Sequence, residues 1–402
     1  MFRRLVIALA LAFLPPIATS ALALDANAIN TADVGNKPGK KVNGPDPLLI
    51  KAQVLLDRAR FSPGEIDGRA GGNFQKALAA FKVAQGLPND SKLDANTWSK
   101  LAATSSDPAI KQYTITTDDE KGPFLKKRPA KMEDMKDLPS MGYAGPTEEL
   151  AEKFHVSEDL LKALNPGKPF DKAGTVILVP NVGGKSTDEK VTKIEIDKVQ
   201  KTLRAFGKNG QLLAFFPASV GSEEKPAPSG TFKVTDVERN PVYRYDPKFA
   251  FKGVSSKKPF EIKPGPNNPV GLVWIGLSAP SYGIHGTPDA SKVSKSYSHG
   301  CVRLTNWDAL ELAGMVSKGA QVVFSTAARR RRRWPRPRSN RKTSLPASLR
   351  RAGVAEVAGG RNVNATSSRW RVAHGRRRDE EPRRDHVDHE CDRDAEPCGG
   401  CT

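Results

Sequence analysis

The hydrophobic period of this chain changes at Val191, and the change separates two kinds of fold. Upstream, apolar residues recur three and four apart, first at Leu48, Leu49, Ala52, Leu55 and Leu56, then at Phe74, Ala77, Leu78 and Phe81. That spacing lines one face of a helix. Downstream, Ile194 and Ile196 alternate with polar neighbours, the mark of a half-buried strand. Residues 203–206 and 212–216 flank Gly207-Lys208-Asn209-Gly210, whose Asn-Gly predicts a hairpin. Strand patterns continue at 230–234 and 273–277, and residues 321–324 read as a closing strand. One helix interrupts them, with Thr305 as its cap and Asp308 at its third position. The expected class is multidomain α+β, with a β-rich, sandwich-like domain over 191–324 preceded by two small units.

The first 23 residues predict a secretory signal peptide. Arg3 and Arg4 precede an apolar run, and Ala21-Leu22-Ala23 is a cleavage site. The run falls short of the ~20 residues that span a bilayer and is broken by Pro15-Pro16, so removal is favoured over a membrane anchor. No later stretch is apolar enough to insert. Residues 24–45 read as a linker. Residues 46–102 predict three short helices, with an Asp67-Gly68 turn and a break at Gly86-Leu87-Pro88. This unit resembles a peptidoglycan-binding module, which implies wall binding. Residues 103–142 are polar and read as a second linker. Residues 143–182 predict two helices stopped at Asn165-Pro166-Gly167, then a strand at 176–180. They are similar to a LysM unit, a glycan-binding βααβ fold whose first strand is poorly defined here. His155 reads as a packing or surface residue, since no metal-spaced cluster surrounds it.

The net charge of +20 invites a nucleic-acid reading, but half of it lies after Phe324. What remains is a moderately basic body suited to a carboxylate-rich polymer, and no nucleic-acid partner is expected. Residues 325–402 open with five arginines (329–333) and carry no periodicity, so a disordered basic tail is expected. His386, His389, Cys391, Cys398 and Cys401 are the rival reading there, a metal site whose spacing matches no familiar finger.

Ser298-His299-Gly300-Cys301 concentrates the reactive chemistry. Cys301 is the only cysteine before the tail, and His285 and His299 lie near it in sequence. A thiol is mostly protonated at neutral pH, with a pKa of about 8.5. An imidazole that takes its proton makes it a nucleophile. Gly300 lets the backbone approach a substrate, and N–H groups at such a turn stabilise an oxyanion. Arg303, two residues on, shares the face of Cys301 in an extended strand and suits a carboxylate. The plain alternative is an inert buried cysteine with two structural histidines. The contiguous Ser-His-Gly-Cys-Val-Arg run argues against it.

This segment is similar to the catalytic domain of L,D-transpeptidases, the YkuD family. Their signature is a His-Gly pair, a spacer, Ser/Thr-His-Gly-Cys and a nearby Arg or Asn. His285-Gly286 and the run from Ser298 to Arg303 match it, and residues 264–271 resemble the family's Pro-Gly-Pro-x-Asn-Pro stretch. The spacer 291–297 lacks the glycine that members often carry. The resemblance implies an exported, periplasmic, wall-associated acyltransferase acting on peptidoglycan stem peptides. Cys301 would attack the third residue of a tetrapeptide stem, with His285 as base oriented by the Gly286 carbonyl. Ser298, His299, Gly300 and Tyr282 would contact the substrate or its oxyanion, and Arg303 a donor carboxylate. Trp274 and Tyr282 would line the groove or pack in the core. The resemblance implies no metal, no organic cofactor, and covalent inhibition by carbapenems. An L,D-carboxypeptidase and a transpeptidase anchoring proteins to the wall are neighbouring activities. A non-catalytic wall binder is the reading of a different class, and the intact Cys, His and Arg set counts against it.

Overall fold

A computed structural model describes residues 24–35, 44–183, 187–222, 225–249, 254–296, 298 and 300–325. The expected signal peptide, His299 and the tail from 326 onward lie outside the described residues.

The helical half is punctuated by side-chain caps. α1 (Ala26–Asn30) starts where the Asp25 carboxylate accepts the N–H groups of Asn27 and Ala28. α2 (Pro47–Arg58) is capped in the same way by Asp46, with Pro47 in its first turn. α3 (Gly72–Ala84) begins after Gly71 without a side-chain cap, and α4 (Ala95–Ala102) is capped by Asp94. Leu55, Leu56, Phe74, Leu78, Phe81, Trp98 and Leu101 form their shared core. Lys82 is fully buried there, and its ammonium bonds Asp90 at 2.5 Å and Asp94 at 3.3 Å, which offsets the cost of burying it.

The expected linkers contain structure. Residues 24–45 carry α1, whose Ile29 is buried in the next core. Residues 103–142 carry β1 (Ile110–Thr114), α5 (Thr117–Lys121) and α6 (Met132–Met135). The sequence hides β1 because its sheet has only two strands and its middle residues face solvent. α7 (Pro146–Lys153), α8 (Glu158–Leu164) and β2 (Val176–Pro180) follow. β1 pairs antiparallel with β2, from Ile110 opposite Pro180 to Thr114 opposite Val176. Ile50, Val54 and Ile66 of the helical module join Leu150, Phe154, Leu161, Ile177 and Val179 in one core, so the first two units are fused.

The rest is strand: β3 (Val191–Asp197), β4 (Thr202–Phe206), β5 (Leu212–Pro217), β6 (Ser219–Val220), β7 (Gly230–Arg239), β8 (Tyr243–Tyr245), β9 (Phe260–Ile262), β10 (Val273–Leu277), β11 (Gly283–His285) and β12 (Val302–Arg303). α9 (Asn306–Met315) and β13 (Val316–Ser325) end it. Nine strands form one sheet in the order β5-β4-β3-β13-β7-β10-β11-β12-β6, while β8 and β9 make a separate hairpin. The two outermost strands, β5 and β6, are consecutive in the chain with only Ala218 between them. The sheet therefore curls until its ends meet, and the sandwich-like expectation takes a barrel-like form. Its inner face buries Ile194, Ile196, Phe216, Ile275, Ile284, Val302, Leu312 and Phe324.

β5 also faces outward, into the helical module. Phe215 lies in the helical core, and its backbone exchanges hydrogen bonds with the module: its N–H to Arg60 O at 2.8 Å, its C=O from the Ser62 N–H at 2.9 Å. The module thus covers a sheet edge that would otherwise present unpaired backbone groups. The expectation of a self-contained module on flexible linkers gives way to a docked one.

Candidate active site

Strand register brings the reactive residues together. β11 and β12 run parallel, with Ile284 opposite Val302 and His285 opposite Arg303. One step back places Gly283 beside Cys301. Side chains alternate across a strand, so Ile284 and Val302 enter the sheet core while His285, Cys301 and Arg303 share the other face. There Cys301 packs in a second cluster with Trp274, Val270 and Tyr243. All three site residues are buried, His285 completely.

His285 is held on two sides. Its Nδ1 donates to the Gly286 carbonyl at 2.6 Å. A carbonyl only accepts, so Nδ1 carries the proton and Nε2 keeps a lone pair for base chemistry. Trp274 stacks on the ring, with centroids 5.7 Å apart and planes 22° apart. The stack needs Gly283, where a Cβ would lie 2.5 Å from the indole.

The Gly300-Cys301 loop is equally constrained. Gly300 has φ +106°, and a Cβ there would come within 2.8 Å of the Tyr282 ring. Tyr282 therefore lies directly over the residue preceding Cys301. Burial pushes its phenol up, and the neighbouring Cys301 charge adds to the rise. The Cys301 thiol reaches Ser281 O at 3.8 Å. Ser298 is tied to backbone: its hydroxyl accepts the Gly221 N–H at 2.6 Å and donates to Cys301 O. It shapes the loop rather than facing outward. Arg303 Nε has no hydrogen-bond partner among the described residues, leaving a buried cationic donor open to an anion on the Cys301 face.

Residues 192–324 match the L,D-transpeptidase catalytic domain family, and residues 45–101 match the family described as "Putative peptidoglycan binding domain". The chain carries an L,D-transpeptidase catalytic domain. It is 29% identical over 180 residues to the Bacillus licheniformis protein named "Putative L,D-transpeptidase YkuD", covering 44% of this chain and 92% of that one. Among solved structures, an Enterococcus faecium L,D-transpeptidase aligns with TM-score 0.26 and 24% identity over 36% of this chain. This chain spans 56% of that protein's length. L,D-transpeptidase 3 of Mycobacterium tuberculosis, solved with a faropenem-derived adduct, aligns with TM-score 0.28 and 19% identity, covering 38% of this chain and 74% of that one.

Several residues around the Cys301 cluster carry no local sequence signal. Asn306, buried at the start of α9, accepts the Leu272 N–H at 3.2 Å and donates to Pro266 O at 3.1 Å. Its Oδ1 lies so close to Gly286 that a Cβ there would meet it at 2.3 Å. It also donates to the Glu152 carboxylate of α7 at 3.0 and 3.2 Å. Burial pushes Glu152 up to about 8 despite that bond. On the Cys301 side, Leu125, Met132, Met135 and Met141 pack in the same cluster as the thiol. The Gly265 turn exists because a Cβ there would sit 2.1 Å from Met141 O. From the helical module, Asn73 donates to Val293 O at 3.1 Å and Lys76 to Ser294 Oγ at 2.8 Å. Both grip the spacer that leads into the Cys301 loop.

Proposed function

We propose that this protein is an exported, wall-associated L,D-transpeptidase that cross-links peptidoglycan through a thioester on Cys301. The observation that carries this reading is the His285 tautomer beside the Cys301 strand: a ring fixed by Gly286 O and Trp274, with the proton on Nδ1 and the imidazole on the thiol's face. Nε2 takes the Cys301 proton, and the thiolate adds to the carbonyl of the third residue of a tetrapeptide stem. Backbone N–H groups at the Gly300-Cys301 turn, with His299 by resemblance, receive the oxyanion. Collapse of the adduct breaks the bond to the terminal D-alanine, whose nitrogen takes the proton from His285. An amine of a second stem then loses a proton to His285 and attacks the thioester. The thiolate leaves, and an amide joins the two stems. Arg303 pairs with a donor carboxylate. The helical module and the LysM-like unit hold the polymer near this site.

A β-lactam offers the same thiolate a strained acyl carbonyl, so carbapenems are proposed covalent inhibitors. Among the described residues no helix is long and apolar enough to cross a membrane. The deciding experiment is intact-protein mass spectrometry and product analysis with purified tetrapeptide muropeptides. The expected result is a Cys301 acyl-enzyme followed by linked dimers. Trimmed stems alone would make it an L,D-carboxypeptidase, and sedimentation with sacculi without new products would make it a binder.

A further inference from the structure

We propose that the cleft between the helical module and the 290–295 loop is a second binding site, taking a short peptide that presents both an ammonium and a carboxylate. It rests on the peptidoglycan reading only for the choice of peptide. The cleft spans about 370 Å³, part of it open to solvent. One wall is Glu65, Asp67, Arg69 and Asn73, and the other is Ser291 and Lys295 of the spacer. Neither Cys301 nor His285 lines it.

Glu65 and Lys295 carry opposite charges in this cleft, yet neither side chain makes a hydrogen bond or ion pair among the described residues. Neighbouring amides are occupied. Gln53 donates to Asp67 Oδ1 at 2.8 Å and accepts the Asp67 and Gly68 N–H groups, while Asn73 donates to Val293 O. Among the charged side chains lining the cleft, Glu65 is half-buried, while Lys295 and Arg69 reach solvent. Burial pushes Glu65 up to about 7, with Lys295 opposing and Asp67, Glu158 and Asp159 adding to the rise. An enclosed carboxyl without a partner is costly to ionise, and an ammonium beside it removes that cost. Lys295 and Arg69 suit the carboxylate end. The uncapped start of α3 at Gly71 and Gly72, which also line the cleft, leaves backbone donors beside them. Such a ligand would join the module to the loop that leads into the nucleophile.

The test uses the full chain carrying Cys301→Ala, isotopically labelled, titrated with the tripeptide L-alanyl-γ-D-glutamyl-meso-diaminopimelate. The expected result is saturable shifts of the Asn73 and Gln53 side-chain amide signals. Glu65→Gln, which keeps the side-chain shape, and Lys295→Met should each weaken binding about tenfold or more. Affinity should rise from pH 6 to 8 as Glu65 ionises, set by Lys295, Asp67, Glu158, Asp159 and Glu152 around it, and the rise should vanish in Glu65→Gln. Shifts confined to residues flanking Cys301, or unchanged affinity in both variants, would overturn the proposal. Carbapenem acylation of the unmodified chain reports the catalytic reading separately. Acylation without cleft binding removes this site alone, and cleft binding by a chain whose Cys301 never acylates removes the catalytic reading alone.

Discussion

Two histidines of this chain occupy closely similar settings. His155 stacks on Trp307 with centroids 5.2 Å and planes 10° apart, and its Nδ1 meets the Asp57 carboxylate at 3.1 and 3.2 Å. His285 stacks on Trp274 and gives its Nδ1 proton to a backbone carbonyl. An indole fixes the ring plane in both cases. The surroundings differ. His155 ties α2 to α9 in a junction where Arg60 pairs with Glu311 at 3.1 Å and Ser62 donates to Asp308 at 3.0 Å. His285 stands one strand from a thiol. An oriented imidazole is therefore common to an interdomain fastening and to the proposed catalytic site, and the neighbouring thiol separates the two.

The largest break in that comparison is expected at the thiol. Cys301→Ser should lower product formation by several orders of magnitude, because the same base ionises a hydroxyl poorly. His285→Gln should lower it roughly a thousandfold. His155→Gln should hold turnover within about threefold while lowering the melting temperature by a few degrees. Equal loss of turnover in both histidine variants would sink the distinction.

Next comes the junction itself. Phe215→Ala removes an aromatic side chain from the helical core and should cost about 3–5 kcal/mol, read by denaturant titration. Deleting residues 46–102 should be worse, since it uncovers both Phe215 and the β5 edge. A deletion that melts like the full chain would restore the picture of an independent module. A smaller effect should follow Asn306→Ala, which leaves the Glu152 carboxyl without its donor and frees the Gly286 turn. We expect a loss of about 2 kcal/mol in stability and about tenfold slower carbapenem acylation. Unchanged acylation would make Asn306 a fastening residue only.

The smallest effect concerns pH. Burial pushes Glu152 up to about 8 and Glu311 up to about 7, while the unfolded chain ionises both nearer 4.5. Across that window the folded state binds more protons, so stability is greatest at its acidic end and falls as pH rises toward 8. Melting temperatures at pH 5.5 and 8 should show the fall, by a few degrees, and Glu152→Gln should flatten it. A flat profile in the unmodified chain would count against the burial of these groups.

What could be read from the chain follows from how local the signal is. The β4–β5 hairpin is encoded by adjacent residues, and Gly210 takes the φ of +76° that the Asn-Gly turn requires. The grouping of Cys301 with His285 is readable as a motif, while the parallel β11–β12 register that sets their strands side by side is not. The missed features all depend on partners far along the chain. Ile29 looks like an isolated apolar residue until the α2 and α7 cores close over it. β1 alternates weakly because one strand alone covers it. Asn306 reads as a polar residue in a helix start, and only the fold brings Pro266, Leu272 and Glu152 around it. Ser298 looked like a substrate contact because its neighbours are reactive, yet its hydroxyl closes a loop.

The shared edge at Phe215 also has a temporal side. The helices that bind it are made before β5, since domains emerge from synthesis in N-to-C order. The first hairpin of the sheet supplies Phe215, the piece that completes their core. An edge strand is the part of a growing sheet most prone to pairing with the wrong chain. Here the helical module is the partner that covers β5, so the contact that joins the two units also shields that edge from a second chain.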